Sequence, residues 1–313
     1  MLPVPVTTAA PFLSTIIREM VLNSVRSEHS KRAYGEALDC FLEWYTLEPR
    51  LGFLRATVNG WRAALETSGL AASTINVRLA AVRKLAEEAS AAGFLDQATA
   101  ASIAATRSCP SRGVRTGNWL TRAQAEKLLS APDGATMKGL RDRALLTVLL
   151  GCGLRRSEAA ALSLEHVQQR EGRWVIVDLK GKGGRVRSVP MPSWCKAAID
   201  AWTAAAGMSA GTMFRPVNRG GRIAGKRITP DAIHKTLQKY AAQLGLAIAP
   251  HDLRRSFAKL AHRGNAPIEQ IQLSLGHASI QTTERYLGVR QDLADAPCDH
   301  LGMRIGWKNH IYP

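Results

Sequence analysis

Apolar residues recur along the first third of the chain at the three and four residue steps of a helix that buries one face. Tyr34, Leu38, Phe41, Leu42 and Tyr45 form one such stripe, and Ile75, Leu79, Val82 and Leu85 form a second. The pattern predicts a helical segment from about Pro11 to Ala92. Arg78, Arg83 and Lys84 stand between the apolar positions of the second stripe. That helix therefore turns one face to a core and basic groups elsewhere, either to meet phosphates or as a solvated surface.

The periodicity stops at Thr106 to Asn118, which reads TRSCPSRGVRTGN: turn formers with Arg107, Arg112 and Arg115 spaced among them. This predicts a helical N-terminal domain over residues 1–105, a basic linker over 106–118 and a second domain over 119–313. Such a linker suits a DNA backbone or a merely solvated connector.

Helical periodicity resumes after Thr121, which with Gln124 makes a capping box. Lys138 to Leu150 is strongly apolar on one side. Gly151 and Gly153 stop it before Leu154-Arg155-Arg156-Ser157-Glu158 opens another helix, which puts Arg155 at a helix boundary. Trp174 to Leu179 and Val186 to Pro190 are β-prone runs on either side of Lys180-Gly181-Lys182-Gly183-Gly184, a hairpin with Lys182 in its turn. Thr229 and Pro230 start a helix through Ile233, Leu237 and Tyr240, and further helical pieces break at Gly264 and Gly276. The expected fold is mainly α with a small β-sheet, in two domains, as the 313-residue length also favours.

Composition changes the picture in one respect. Apolar residues at 46% and charged residues at 21% are ordinary for a globular chain, but a net charge of +17 is not. Such a surplus attracts polyanions, nucleic acid or acidic lipid surfaces among them. The five cysteines are odd in number and scattered, with no C-x-x-C pair, so neither a disulfide framework nor a zinc knuckle is expected. No stretch approaches the roughly 18 apolar residues of a membrane span, and no basic segment with a long apolar run opens the chain. A reducing cytoplasm is the expected compartment.

Taken singly, Arg155, Lys182, His251, Arg254, His277 and Tyr286 each have a structural reading: a surface or ion-paired arginine, a hairpin tip, a polar helix or loop histidine, a packed ring. In order along the chain they stand in Cys-Gly-Leu-Arg-Arg-Ser-Glu, Gly-Lys-Gly, His-Asp-Leu-Arg-Arg, Leu-Gly-His and Thr-Thr-Glu-Arg-Tyr. This succession resembles the tyrosine recombinase family, also called phage integrases. It covers the second half from about Leu120 to Tyr286, and more weakly the helical first half, which looks like the family's core-binding domain. The resemblance implies a two-domain clamp, with an α+β catalytic domain. It makes Arg155 and Arg254 the catalytic arginines, His251 the start of the His-x-x-Arg box, Lys182 the hairpin lysine and Tyr286 the nucleophile. His277 fills a histidine-or-tryptophan position nine residues before that tyrosine. Glu158 matches a common acidic position that orients Arg155 or its neighbours. Arg255 departs from the pattern, because many relatives have histidine there.

The chemistry accounts for these residue types. A phosphodiester repels an anionic attacker unless its non-bridging oxygens are neutralised, and planar guanidinium forks do this with paired, charge-assisted hydrogen bonds. A tyrosine with an ordinary pKa near 10 needs a proton acceptor, for which His251 is the candidate. The leaving 5′ oxygen needs a proton, for which Lys182 is the candidate. His277 would hydrogen-bond the scissile phosphate. The scheme calls for no metal and no cofactor, since a 3′-phosphotyrosyl bond conserves the backbone energy until another strand's hydroxyl reverses the step. The resemblance further implies double-stranded DNA recombination sites as partners, a homotetramer on two duplexes and a Holliday junction, with no membrane partner. Leu293, Leu301 and Met303 make the stretch after Tyr286 apolar enough to dock on a neighbouring protomer, or on its own domain. Two other readings keep part of this pattern: a type IB topoisomerase-like swivel, and a DNA-binding protein without turnover.

Overall fold

The computed structural model describes residues 10–110, 118–181 and 184–287, and the chain divides into two compact units, Met1–Val114 and Arg115–Pro313. It is mainly helical with one three-stranded sheet, as expected. Among the described residues, no helix is long and apolar enough to cross a membrane.

The first unit holds α1 (Ala10–Ser24), α2 (Glu28–Thr46), α3 (Arg55–Thr67), α4 (Ala72–Ala91) and α5 (Gln97–Ala104). The two sequence stripes meet here. Leu38 and Phe41 of α2 and Ile75, Leu79 and Val82 of α4 are buried together with Trp61 of α3. The Phe41 and Trp61 rings meet edge-on at 5.0 Å, an arrangement that aromatic quadrupoles favour. The first residues of the turn-rich stretch also pack onto this unit. Asn76 of α4 pairs with the backbone of Cys109 in both directions, at 2.9 and 2.7 Å, and Arg83 donates to the Thr106 carbonyl and, at 3.2 Å, to Ser108 Oγ. Residues 111–117, with Arg112 and Arg115, lie outside the described residues.

The second unit runs α6 (Arg122–Ser130), α7 (Met137–Gly151), α8 (Arg156–Ala161), β1 (Val167–Arg170), β2 (Arg173–Lys180), β3 (Val186–Pro190), α9 (Ser193–Ala205), α10 (Pro230–Gln243), α11 (Pro250–Arg263), α12 (Ile268–Leu275) and α13 (Ile280–Leu287). The capping box at Thr121 and Gln124 is present, with hydrogen bonds of 3.2 and 2.9 Å. α7 departs from its expected one-sided burial, since its last eight residues, Ala144 to Gly151, include no exposed position and even Arg141 and Asp142 are buried. That depth is possible because the two charged neighbours pair at 2.8 Å and the Tyr240 hydroxyl donates to Asp142 at 2.9 Å. The sheet is antiparallel in the order β1-β2-β3. β2 and β3 are the expected hairpin, while β1 and α9 were not expected. β1 joins β2 through Glu171 and Gly172, both at positive φ (49° and 73°), the conformation a tight hairpin turn requires.

Candidate active site

α11 carries two of the predicted residues one turn apart on one face. Pro250 occupies its first turn, and the Asp252 carboxylate accepts from the Ala249 N–H at 2.9 Å, which fixes the helix start and with it His251. Arg254 follows three residues on and is fully buried. Its Nη1 donates to the Gly153 carbonyl at 2.7 Å and its Nη2 to the Leu275 carbonyl. Gly153 has φ 60°, and a Cβ there would come within 2.8 Å of the Phe257 ring, so only glycine presents its carbonyl to this arginine. Burial and the nearby Arg155 cation push the Arg254 guanidinium down to about 10, which leaves it a cation at neutral pH.

Arg155 caps α8 and is tied to Glu158 twice, its N–H to Oε2 at 2.8 Å and its Nη1 to Oε1 at 2.7 Å. Arg187 of β3 grips the same carboxylate with both terminal nitrogens at 2.9 Å. Burial pushes the Glu158 carboxyl up, but the hydrogen bonds from Arg187 and Arg155 outweigh it and hold the group below the usual carboxylate range.

α13 packs against α11 and α12 and delivers Tyr286 to this cluster. The Tyr286 hydroxyl is hydrogen-bonded to His251 Nε2. The Tyr286 ring meets the His277 ring edge-on at 4.9 Å, and the Arg255 guanidinium lies 5.3 Å from the tyrosine ring centre. His277 follows the left-handed Gly276 (φ 62°) that ends α12, and its Nδ1 is 2.9 Å from the Thr283 hydroxyl. Burial and the Arg254 and Arg155 cations push His277 down to about 4. The same causes, burial first and then Arg254 and Arg255, lower His251. Both imidazoles are therefore neutral at pH 7. Burial raises Tyr286, and the Arg254, Arg255 and Arg155 cations oppose it without cancelling it.

Arg155, His251, Arg254, His277 and Tyr286 thus come together from the start of α8, from α11 and α13, and from the loop before α13. Lys182 lies outside the described residues, as do Leu293, Leu301 and Met303. Gly181, beside Lys182, is at the site, since a Cβ built on it would be 3.5 Å from Glu158 Oε1. Arg255 donates to Asp252 at 3.0 Å, which accounts for a cation at its position. Arg78, Arg83 and Lys84 belong to α4 in the other unit. Arg78 is 3.5 Å from Cys40 Sγ, Arg83 holds the Thr106 carbonyl, and Lys84 reaches Glu87 and Glu88 at 2.9 Å each. Sequence reasoning missed Arg187 and Thr283. Arg187 follows Lys182 in the same hairpin, the one signal that pointed to it. Among the described residues, no group of three or more His, Cys, Asp or Glu is placed to hold a metal ion.

A phenol hydrogen-bonded to a neutral imidazole, with the buried Arg254 and the half-buried Arg155 nearby, on a mainly helical unit with a small sheet, is a set of groups suited to phosphodiester chemistry. The model of the phage integrase family matches residues 118–292, and that of the phage integrase N-terminal SAM-like domain matches residues 17–93. The chain belongs to the phage integrase family of tyrosine recombinases, which cleave and rejoin DNA strands in site-specific recombination. It is 34% identical to tyrosine recombinase XerC of Rhodospirillum centenum over 276 residues, 84% of this chain and 78% of that one. It is 28% identical to a tyrosine recombinase of Synechococcus elongatus over 317 residues, 95% of this chain and 96% of that one. Among solved structures it is similar to a lambda integrase dimer bound to a COC′ core site, with a TM-score of 0.69 at 14% identity over 91% of this chain and 80% of that one. XerH bound to a difH substrate before cleavage gives 0.66 at 18% identity, over 90% and 92%. At these identities the likeness is one of fold.

Proposed function

We propose that this recombinase cuts each DNA strand by attack of the Tyr286 oxygen on phosphorus, with His251 as the proton acceptor. The observation that carries this reading is the hydrogen bond between the Tyr286 hydroxyl and Nε2 of a neutral His251, in which Nε2 accepts when the ring hydrogen is on Nδ1. A neutral imidazole can accept the phenol proton as the Oη–P bond forms and the P–O5′ bond breaks. Arg155 and Arg254 neutralise the non-bridging oxygens, most strongly as charge builds in the transition state. Lys182 gives the 5′ oxygen its proton. If the Thr283 hydroxyl donates to His277 Nδ1, the other ring nitrogen carries its hydrogen and serves as a phosphate donor. The products are a 3′-phosphotyrosine and a free 5′ hydroxyl, and attack by the hydroxyl of another strand regenerates Tyr286.

The substrate that suits this chemistry and the net charge of +17 is duplex DNA carrying a recombination site. Family membership supports four protomers working on two duplexes through a Holliday junction, in the cytoplasm where that DNA lies. The N-terminal unit, residues 1–105, is read as a core-binding domain with Arg78, Arg83 and Lys84 toward the backbone, and 106–118 as the basic link to the catalytic domain of 119–313. The test is a nicked duplex from the footprinted DNA beside its own gene. Wild type should leave a denaturation-resistant protein–DNA adduct and Tyr286→Phe none. A wild-type protein that binds this DNA without forming an adduct sinks the reading.

A further inference from the structure

Arg187 lies outside every motif that marks the site, yet all three of its guanidinium nitrogens are engaged there. Nη1 and Nη2 meet the two Glu158 oxygens at 2.9 Å, and Nε donates to the Ser274 carbonyl at 2.9 Å. The side chains of Arg187 and Glu158 are 9% and 3% exposed, so this is a buried pair in which each charge needs the other. Glu158 in turn holds the Arg155 N–H and Nη1. The Ser274 carbonyl lies in the last turn of α12, three residues before His277. Two glycines stand where the arginine passes close to the backbone. A Cβ on Gly276 would come within 2.9 Å of Arg187 Cδ, and one on Gly181 within 3.1 Å of Nη1. One side chain therefore touches the Arg155 helix, the strand and turn next to Lys182, and the segment that carries His277.

We propose that Arg187 is a positioning residue for strand cleavage: by clamping Glu158 and the Ser274 carbonyl together it fixes Arg155 and His277 about the scissile phosphate, without touching DNA itself. The inference rests on Tyr286 being the nucleophile. The planar fork is essential to it. A lysine would keep the charge beside Glu158, but a single ammonium cannot meet both carboxylate oxygens and a carbonyl on the third side in one plane.

The test uses the full chain and the same nicked duplex, with two readouts: DNA affinity by titration, and the single-turnover rate of adduct formation at saturating protein. Wild type, R187K, R187Q, E158Q and the R187Q/E158Q double variant are compared, with thermal melting to show that each is folded. R187Q should form adduct on the order of 10²-fold more slowly, the usual consequence of a small misplacement at a reacting centre, with DNA affinity unchanged. R187K should recover only part of the rate. The double variant should be no slower than the slower single one, because the two residues act as a unit. If R187Q does not melt cooperatively, a folded R187K with a slowed rate supports the clamp. R187K or R187Q at the wild-type rate overturns it, and so do multiplicative losses in the double variant. Absence of adduct from wild type overturns the nucleophile reading instead, so the two failures remain distinct.

Discussion

The helices of the N-terminal unit and the tyrosine cluster of the C-terminal unit use their cations differently. In the N-terminal unit several have a local acceptor of their own: Arg18 holds Asp39 at 2.7 Å, Lys84 lies between Glu87 and Glu88, and Arg83 holds a carbonyl. In the C-terminal unit Arg155 and Arg187 share one carboxylate, Glu158, and the hydrogen bonds of the buried Arg254 go to two backbone carbonyls. The first arrangement closes its charges off and holds chain to chain. The second leaves a positive excess that an anion from outside can neutralise, and that excess adds to burial in lowering His251 and His277. Local under-neutralisation marks the working half of the molecule better than the number of basic residues does.

The contrast can be broken from either side. Phe41→Ala strikes the aromatic centre of the N-terminal core, and a buried phenylalanine reduced to alanine costs about 3–5 kcal/mol. Amide hydrogen exchange should show lost protection across α2 to α4, with α7 protected as before. Equal loss in both units would mean that their cores are not energetically separate. Arg254→Lys strikes the other side. It keeps a cation but loses the fork that reaches Gly153 and Leu275, and adduct formation should fall roughly 10²–10³-fold, as when one preorganised donor is removed. A rate within the scatter of wild type would show that charge alone suffices there.

Much of the fold is legible in the sequence. The stripes through Phe41 and Leu79 identified the N-terminal helices, because amphipathic periodicity survives any tertiary arrangement. Five residues that the structure brings together could be singled out from the sequence because their motifs are local runs whose order is fixed. What stayed hidden depends on long-range partners. Val167–Arg170 has only one apolar residue and becomes β1 through pairing with β2. Arg187 looks like any strand arginine until Glu158 and Ser274, 29 and 87 positions away, are brought to it. The acidic neighbours of Lys84 were plain in the sequence, but their engagement was not.

The depressed histidines supply a pH test of the same excess charge. His277 falls from an ordinary 6.5 to about 4 in the folded chain. Above pH 6.5 both folded and unfolded chains hold it neutral, and the full stability is present. As pH falls from 6.5 toward 4 the unfolded chain takes up a proton that the folded chain refuses, so stability is progressively lost in that window. His251, lowered in the same direction, adds to the loss. Melting temperatures should drop over this range more steeply for wild type than for His277→Gln, and parallel curves would show that His277 is not held neutral by its surroundings.

The smallest effect falls on α4, where the closed-off charges meet the proposed DNA backbone. Among the described residues Arg78 has one hydrogen-bond partner, a thiol 3.5 Å away, whereas Lys84 is already neutralised by Glu87 and Glu88. A lysine in that position must give up its partners before it can release a counterion from DNA, and exposed pairs of this kind are worth about 0.2–1 kcal/mol. Arg78→Ala should therefore flatten the slope of log affinity against log salt by about 0.9, one phosphate's share, and Lys84→Ala by less. Binding titrations across a salt series measure both slopes. If Lys84→Ala gives the larger change, the carboxylates beside it do not close that charge off, and the distinction between the two units fails at this helix.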